Sequence, residues 1–236
     1  MHALRDPALR WVDVMSDVAF LTMDLAAHHR SGLAFRFLDA WLQHSGDYAG
    51  MAVFRFYEVY RSLVRALASS LAADSTSQAA PHGESHGRSD DVPDYIATAA
   101  RLTQGAPGGP RLLITYGFSG SGKSSVALKL LQEAGAVRIR SDVERKRLFG
   151  LDAFARSSGH GIDLYAASAT RRTFDHLKSS ATAVLQAGYP VVIDAAFLGG
   201  EERRAFRSLA LSLDHVAAAR RTPDRAGQRC VRCKSR

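Results

Sequence analysis

Apolar residues recur at helical spacing along the first third of the chain. Val14, Val18, Leu21 and Leu25 share one stripe, Leu33, Phe37 and Trp41 run beside Ala34, Leu38 and Leu42 on a second, and Phe54, Tyr57, Tyr60 or Arg61, Val64, Leu67 and Leu71 form a third. Residues 12 to 72 are therefore predicted to form three amphipathic helices that pack together. Ser31 reads as the N-cap of the second helix, Gly46 as its stop, and Asp47 as the start of the third. From Ala73 to Asp94 the aliphatic residues give way to Ser, Gly, Pro and acids, too little apolar area to offset the entropy of ordering, so this stretch reads as a flexible linker. A short helix, Tyr95 to Thr103, follows and is broken by Gly105 to Pro110.

The period then changes. Arg111 to Tyr116, Ala136 to Arg140 and Val191 to Asp194 are short apolar or alternating runs of strand type. Helical stretches separate and follow them: one ending near Gly135, then Val143 to Phe149, Ile162 to Ala187 with Leu164, Ala167, Phe174, Leu177, Ala181 and Leu185 buried, and Glu201 to Leu213. Gly150 to Gly161 reads as a loop. Strands alternating with helices specify an α/β fold, a parallel sheet with helices on both faces. The expected organisation is an all-α segment 1–72, a linker 73–94, an α/β module 95–216 and a basic, unstructured tail 217–236.

Composition changes this picture in three places. With 46% hydrophobic residues the chain is long enough for one large domain or two small ones, yet it has no apolar run of membrane-spanning length. The opening MHALRDPALRWVDV lacks the regions of a secretory signal, and the cysteines are Cys230 and Cys233 alone, so the expectation is a cytoplasmic, reducing compartment without a disulfide framework. The formal charge is +8, but six of those charges fall between Ala217 and Arg236, which argues against a folded nucleic-acid face. A lone C-x-x-C supplies half of a structural zinc site, and His82 and His86 lie in the linker without further ligands.

The chemistry is concentrated after the first strand. Gly117 to Ser124 reads G-x-x-x-x-G-K-S between a strand and a helix, the order of a phosphate-binding P-loop, in which triphosphate oxygens meet backbone N–H groups at a helix N-terminus. Gly117, Gly120 and Gly122 let the backbone approach, with Ser121 between them. Lys123 is expected at the β and γ phosphates, the Ser124 hydroxyl on Mg²⁺, and Ser125 as an extra phosphate contact. The run VVID places Asp194 at a strand end facing the phosphates, the position of a Mg²⁺-shell carboxylate. Asp142, just past the strand Ala136 to Arg140, either takes a proton from an acceptor hydroxyl or holds a metal-shell water; alternatively Asp142 or Ser141 caps the next helix, and both roles are compatible. Arg140, Arg145, Lys146 and Arg147 crowd the same point, where one could bind an acidic group, each taken singly reading as a solvated helix charge.

The pieces ITYGFSGSGKSS, IRSDVERKRLFGL and AGYPVVIDAAFLGGEERRAFRSLA resemble kinase-type P-loop NTPases of the AAA-family ATPases, related to polynucleotide, gluconate and zeta-toxin-like kinases. RWVDVMSDVAFLTMDL, FLDAWLQHSGDYAG and FRFYEVYRSLVRA resemble the last helices of an aminoglycoside-phosphotransferase-like domain, and the order matches fusions of that domain with a P-loop kinase module. The resemblance covers Asp6 to Leu211 outside the linker. It implies ATP and Mg²⁺, with Lys123 and Ser124 at phosphates and metal and Asp142 and Asp194 near the transferred group. The family's H-G-D loop and metal-binding aspartate are absent, so the front helices are expected to have no phosphotransferase activity of their own. After Leu211 the family continues into further strands and an arginine-bearing lid; DHVAAARRTPDRAGQRCVRCKSR has no strand pattern and reads as a frameshifted or early end, leaving the module incomplete.

Three readings stay open on these residues: an active ATP-dependent kinase acting on an unidentified hydroxyl acceptor, a nucleotide-binding module without turnover, and an inactive fragment. No protein partner is legible, and no membrane contact is expected.

Overall fold

The computed structural model describes residues 13–78, 93–152, 164–213 and 216–221. The expectations placed on residues 79–92, on most of the loop from Gly150 to Gly161, and on the tail past Arg221, with His82, His86, Cys230 and Cys233, lie outside the described residues. The chain divides into two compact units: Met1–Ala34 with Val53–Gln104, and Phe35–Ala52 with Gly105–Arg236.

In the first unit α1 (Val14–Ala27) is capped by Asp13, whose side chain accepts from the Met15 N–H at 2.9 Å. Its buried residues include Met15, Val18, Ala19, Thr22, Met23 and Ala26, whereas the expected Val14 and Leu21 are exposed. Apolar and small residues surround this helix almost completely, so periodicity alone does not fix which stripe turns inward. The helix α3 (Met51–Gln78) runs into the stretch expected to be linker, and its Tyr60, Val64, Leu67 and Leu71 are exposed rather than inward. Helix α4 (Tyr95–Thr103), expected at the head of the α/β module, falls in this unit: Tyr95 joins Met23 and Ala27 in one buried cluster, and its hydroxyl donates to Asp24 at 2.9 Å.

Helix α2 (Ser31–Ser45) gives its first residues to this unit and the rest, from Phe35, to the second. It begins at Ser31 itself and ends before Gly46, whose N–H donates to the Leu42 carbonyl at 2.8 Å.

The second unit is built on a parallel sheet of β1 (Arg111–Tyr116), β2 (Val137–Arg140), β3 (Val191–Asp194) and β4 (Val216–Arg221) in the order β2-β3-β1-β4. Helices α5 (Lys123–Ala134), α6 (Ser141–Leu148), α7 (Ala167–Gln186) and α8 (Gly200–Ser212) cover both its faces. Val192 packs with Ala127 of α5 and Leu113 of β1; alternation sends Val191, Ile193, Leu112 and Ile114 to the opposite side, and all four are buried. Near that second layer, Phe174, Phe197 and Phe206 form an aromatic group with centroids 5.2–6.3 Å apart, Phe206 meeting the other two rings edge-on. The strand β4 is a correction, because residues from Ala217 onward read as an unstructured tail. Alanine has weak strand propensity, and arginines close the run, but the free edge of β1 pairs with it in register from Arg111↔Val216 to Tyr116↔Arg221. The ladder outweighs the propensity. Among the described residues no helix is long and apolar enough to cross a membrane.

Candidate functional site

Three strands end at one place. β1 runs into the P-loop, β2 into Ser141 and Asp142, and β3 terminates at Asp194, directly opposite Thr115 and Arg140 in the ladder. In a parallel sheet the carboxyl edge is where ligands bind, and the crevice opens where the chain switches direction along the sheet, here between β1 and β3. A cavity of about 710 Å³ lies there.

The glycine loop is wound as its sequence requires. Gly117, Gly120 and Gly122 have φ of 142°, 79° and 85°, a region closed to most side chains, and Gly122 is the N-cap of α5. Gly120, Gly122, Lys123, Ser124 and Ser125 line the cavity with the first turn of α5, whose unpaired N–H groups and dipole favour an anion. Lys123 Nζ donates to the Phe118 carbonyl at 2.5 Å. Gly117 and Ser121 are not among the lining residues: the Gly117 N–H donates to Ala196 O at 3.1 Å and the Ser121 N–H to Phe118 O at 3.3 Å, so both shape the loop.

Asp142 and Asp194 line the same cavity in different environments. Asp142 is in the first turn of α6, half exposed, and accepts from Lys146 Nζ at 2.8 Å. The capping alternative is not realised: α6 starts at Ser141, its N-cap is Arg140, and neither Ser141 nor Asp142 makes a capping bond. Ser141 Oγ donates instead to the Asp194 carbonyl at 3.3 Å. Asp194 is buried, and its Oδ2 has no hydrogen-bond partner, with Arg140 Nε at 3.9 Å. A buried, unpartnered carboxylate oxygen is costly, and a hard cation beside it removes that cost.

The basic cluster is a second correction. Arg145 and Lys146 are buried, not solvated. Arg145 Nη1 donates to the Leu164 carbonyl at 2.5 Å and to Thr170 Oγ1 at 3.2 Å, and its guanidinium lies 5.0 Å from the Tyr165 ring centroid. Burial lowers its pKa from the ordinary arginine value. Arg147 donates to the Gln43 and His44 carbonyls and to Glu144. Because α6 packs against α7, side chains that a helical wheel would place in water meet carbonyls and carboxylates.

Sequence reasoning did not find the far wall. Tyr165, Phe174, Phe197 and Leu198 line it. Phe197 has φ of 46°, and Arg203 Nη1 reaches back to the Phe197 carbonyl at 2.5 Å and the Leu198 carbonyl at 3.1 Å, fixing the loop after β3. The only signal was the aromatic and small residues of AAFLGG just past VVID.

A family model described as the AAA domain matches residues 112–234, just over half of the chain. The chain belongs to the AAA domain family. Its AAA domain thus takes in the P-loop, β2, β3 and β4, and the match continues past Leu211, where the family pattern was expected to stop. Uncharacterised proteins of Mycobacterium tuberculosis and Mycobacterium bovis are 28% identical to this AAA-domain chain over 203 residues, 86% of its length and 39% of theirs. The chain therefore spans well under half the length of these relatives. Among solved structures, the Mycobacterium tuberculosis APS kinase is 22% identical, with a TM-score of 0.39, covering 51% of this chain and 80% of that one; the same kinase in complex with AMPPNP and APS gives 22% and 0.39 over 49% and 63%.

Proposed function

We propose that the AAA domain binds ATP with Mg²⁺ and transfers the terminal phosphoryl group to a hydroxyl acceptor. The observation that carries this reading is the convergence on one cavity of the P-loop and α5 N-terminus, the strand-end carboxylates Asp142 and Asp194, and the cation Arg145. Lys123 and the first-turn N–H groups of α5 hold the phosphates, with Ser125 as a further contact. The residues fit Mg²⁺: the Ser124 hydroxyl and the unpartnered Asp194 oxygen are hard donors in one cavity, and the ion, when bound, neutralises charge on the β and γ phosphates.

The acceptor enters from the wall of Tyr165, Phe174 and Leu198. Its oxygen attacks the γ phosphorus, the bond to the β,γ-bridging oxygen breaks, the hydroxyl proton passes to the Asp142 carboxylate, and ADP leaves. Arg145, desolvated and held over Tyr165, suits an anionic group on the acceptor. A second reading, a nucleotide-binding module without turnover, is favoured by the 2.8 Å ion pair that ties Asp142 to Lys146. On sequence resemblance, the helices of the front segment derive from an aminoglycoside-phosphotransferase-like domain, and we assign them no chemistry.

Thermal unfolding with and without MgATP tests the nucleotide site. At about 100 times the dissociation constant a ligand of the folded state adds roughly 2.7 kcal/mol, and Lys123→Ala should abolish the shift while unfolding cooperatively. A wild-type protein that unfolds cooperatively without any shift refutes ATP binding. ADP release that depends on members of a hydroxyl-compound panel then separates the kinase from the non-catalytic module.

A further inference from the structure

The Asp194 carboxylate is paired more weakly than its surroundings permit. Its side chain is 5% exposed and its Oδ2 lacks a hydrogen bond, yet a guanidinium stands only 3.9 Å away at Arg140 Nε. Charge-assisted N–H···O bonds close to about 2.7–2.9 Å when both groups are free to move. Arg140 is not free. Its Nη1 donates to Gln43 Oε1 at 3.0 Å, across 97 residues of sequence. Gln43 is in turn fixed from behind, its Nε2 donating to Asp39 Oδ2 at 2.6 Å and to the Asp39 carbonyl at 3.3 Å. Asp39 is clamped by Arg138, from Nε at 3.1 Å and Nη2 at 2.6 Å. Arg138, Asp39 and Gln43 are all buried, so the row is shielded from water and stiff.

We propose that Gln43 is a positioning residue for the metal-nucleotide site: it holds Arg140 off Asp194 and so keeps the carboxylate oxygen open to a divalent cation. This rests on reading the cavity as a Mg²⁺-nucleotide site. In Gln43→Met the side chain keeps its length but loses both amide bonds. The released guanidinium moves onto Asp194 Oδ2, and the cation must displace it. The helical segment Phe35–Ala52 is then part of the phosphate site although it touches neither phosphate nor metal.

The test is binding of mant-AMPPNP, a fluorescent ATP analogue, to the full chain, titrated once in EDTA and once in saturating Mg²⁺; the readout is the gain in affinity that Mg²⁺ confers. Gln43→Met should leave the affinity in EDTA unchanged and reduce the gain by about tenfold, the lower end for residues that orient metal-ligating side chains. Gln43→Met combined with Arg140→Gln should restore the gain, because the competing cation is gone. Tyr48→Phe, which removes a 3.0 Å hydrogen bond to Glu144 from the same helical segment without touching Arg140, should leave the gain intact. Should Gln43→Met fail to fold, Gln43→Asn, whose amide is withdrawn from Arg140 by one methylene, takes its place: a reduced gain that Arg140→Gln restores supports the proposal, and an unchanged gain overturns it. An unchanged gain in Gln43→Met, an equal loss in Tyr48→Phe, or no restoration in the double variant also overturns it while the nucleotide site stands. Absence of mant-AMPPNP binding by the unaltered protein overturns the nucleotide reading, and the role of Gln43 with it.

Discussion

Gly46 illustrates how much one residue decides at the junction of α2 with the α/β unit. Its φ is 74°, and a Cβ there would lie 2.7 Å from Arg147 Nε and 2.8 Å from Cζ. A flexible arginine could swing aside, but this one donates to the Gln43 and His44 carbonyls and to Glu144, so movement breaks those bonds. Gly46→Ala should therefore cost more than the roughly 1–2 kcal/mol of left-handed backbone alone, read as a drop in urea midpoint at unchanged slope. A cost near zero means that Arg147 relaxes freely. Residues of this kind separate what the sequence discloses from what it hides. Gly120, Lys123, Ser124 and Asp194 were legible because each belongs to a short motif whose spacing is its geometry. Gly46 was legible as a helix stop but not as the floor under an arginine more than a hundred positions away. The link from Gln43 to Arg140 left no trace, since a buried glutamine on an amphipathic helix looks like any surface one.

At the scale of elements, α6 was located to within two residues at its start and one at its end, while its environment was misjudged. SDVERKRL reads as a charged surface helix, but α6 packs against α7 and meets the 35–52 segment, and Glu144 is fully buried between them. Its carboxylate accepts from Tyr48 Oη at 3.0 Å, from Arg147 Nε at 3.0 Å, and pairs with His176 Nε2 at 3.0 Å. Burial by itself would raise the Glu144 pKa, but the bonds from His176, Arg147 and Tyr48 together bring it below the ordinary glutamate value. The native state then binds fewer protons than the unfolded chain around and below that value. This contribution to stability is complete above the ordinary glutamate pKa and is lost as pH falls through the lower, folded one. Glu144→Gln should be less stable at neutral pH and should lose less on acidification to about pH 4, compared by urea midpoints at the two pH values. Equal acid losses in both proteins would show that Glu144 ionisation does not contribute. Strand β4 is the matching failure of propensity: its alanines and arginines pair with β1 because the edge is there to be paired, a fact no local window contains.

At the scale of the whole molecule, the α/β unit is assembled from two stretches separated by more than fifty residues, Phe35–Ala52 and Gly105–Arg236. A reading in chain order assigns the first stretch to the helical segment because its periodicity matches its neighbours. One tie to the sheet is polar and buried: Asp39 pairs with Arg138 on β2 at 2.6 Å, with side chains 6% and 10% exposed. Burying two charges costs solvation that their attraction does not reliably exceed, so the pair specifies register more than it adds stability, and removing one partner is far worse than removing both. Asp39→Ala leaves the Arg138 guanidinium buried without a counter-charge and should cost about 3–5 kcal/mol. For a chain of this size that lowers the unfolding midpoint by roughly 6–20 °C. Asp39→Leu with Arg138→Met should recover part of the loss, because apolar side chains fill the space without burying a charge, while the Gln43 amide keeps only its bond to the main-chain carbonyl of residue 39. A single variant within about 0.5 kcal/mol of wild type, the ordinary range for a surface site, would mean that Arg138 reaches water and that the segment is not anchored through this pair. If the single variant is strongly destabilised and the double one recovers, the helical segment is a structural part of the nucleotide-binding unit, and its boundary lies inside α2 rather than after it.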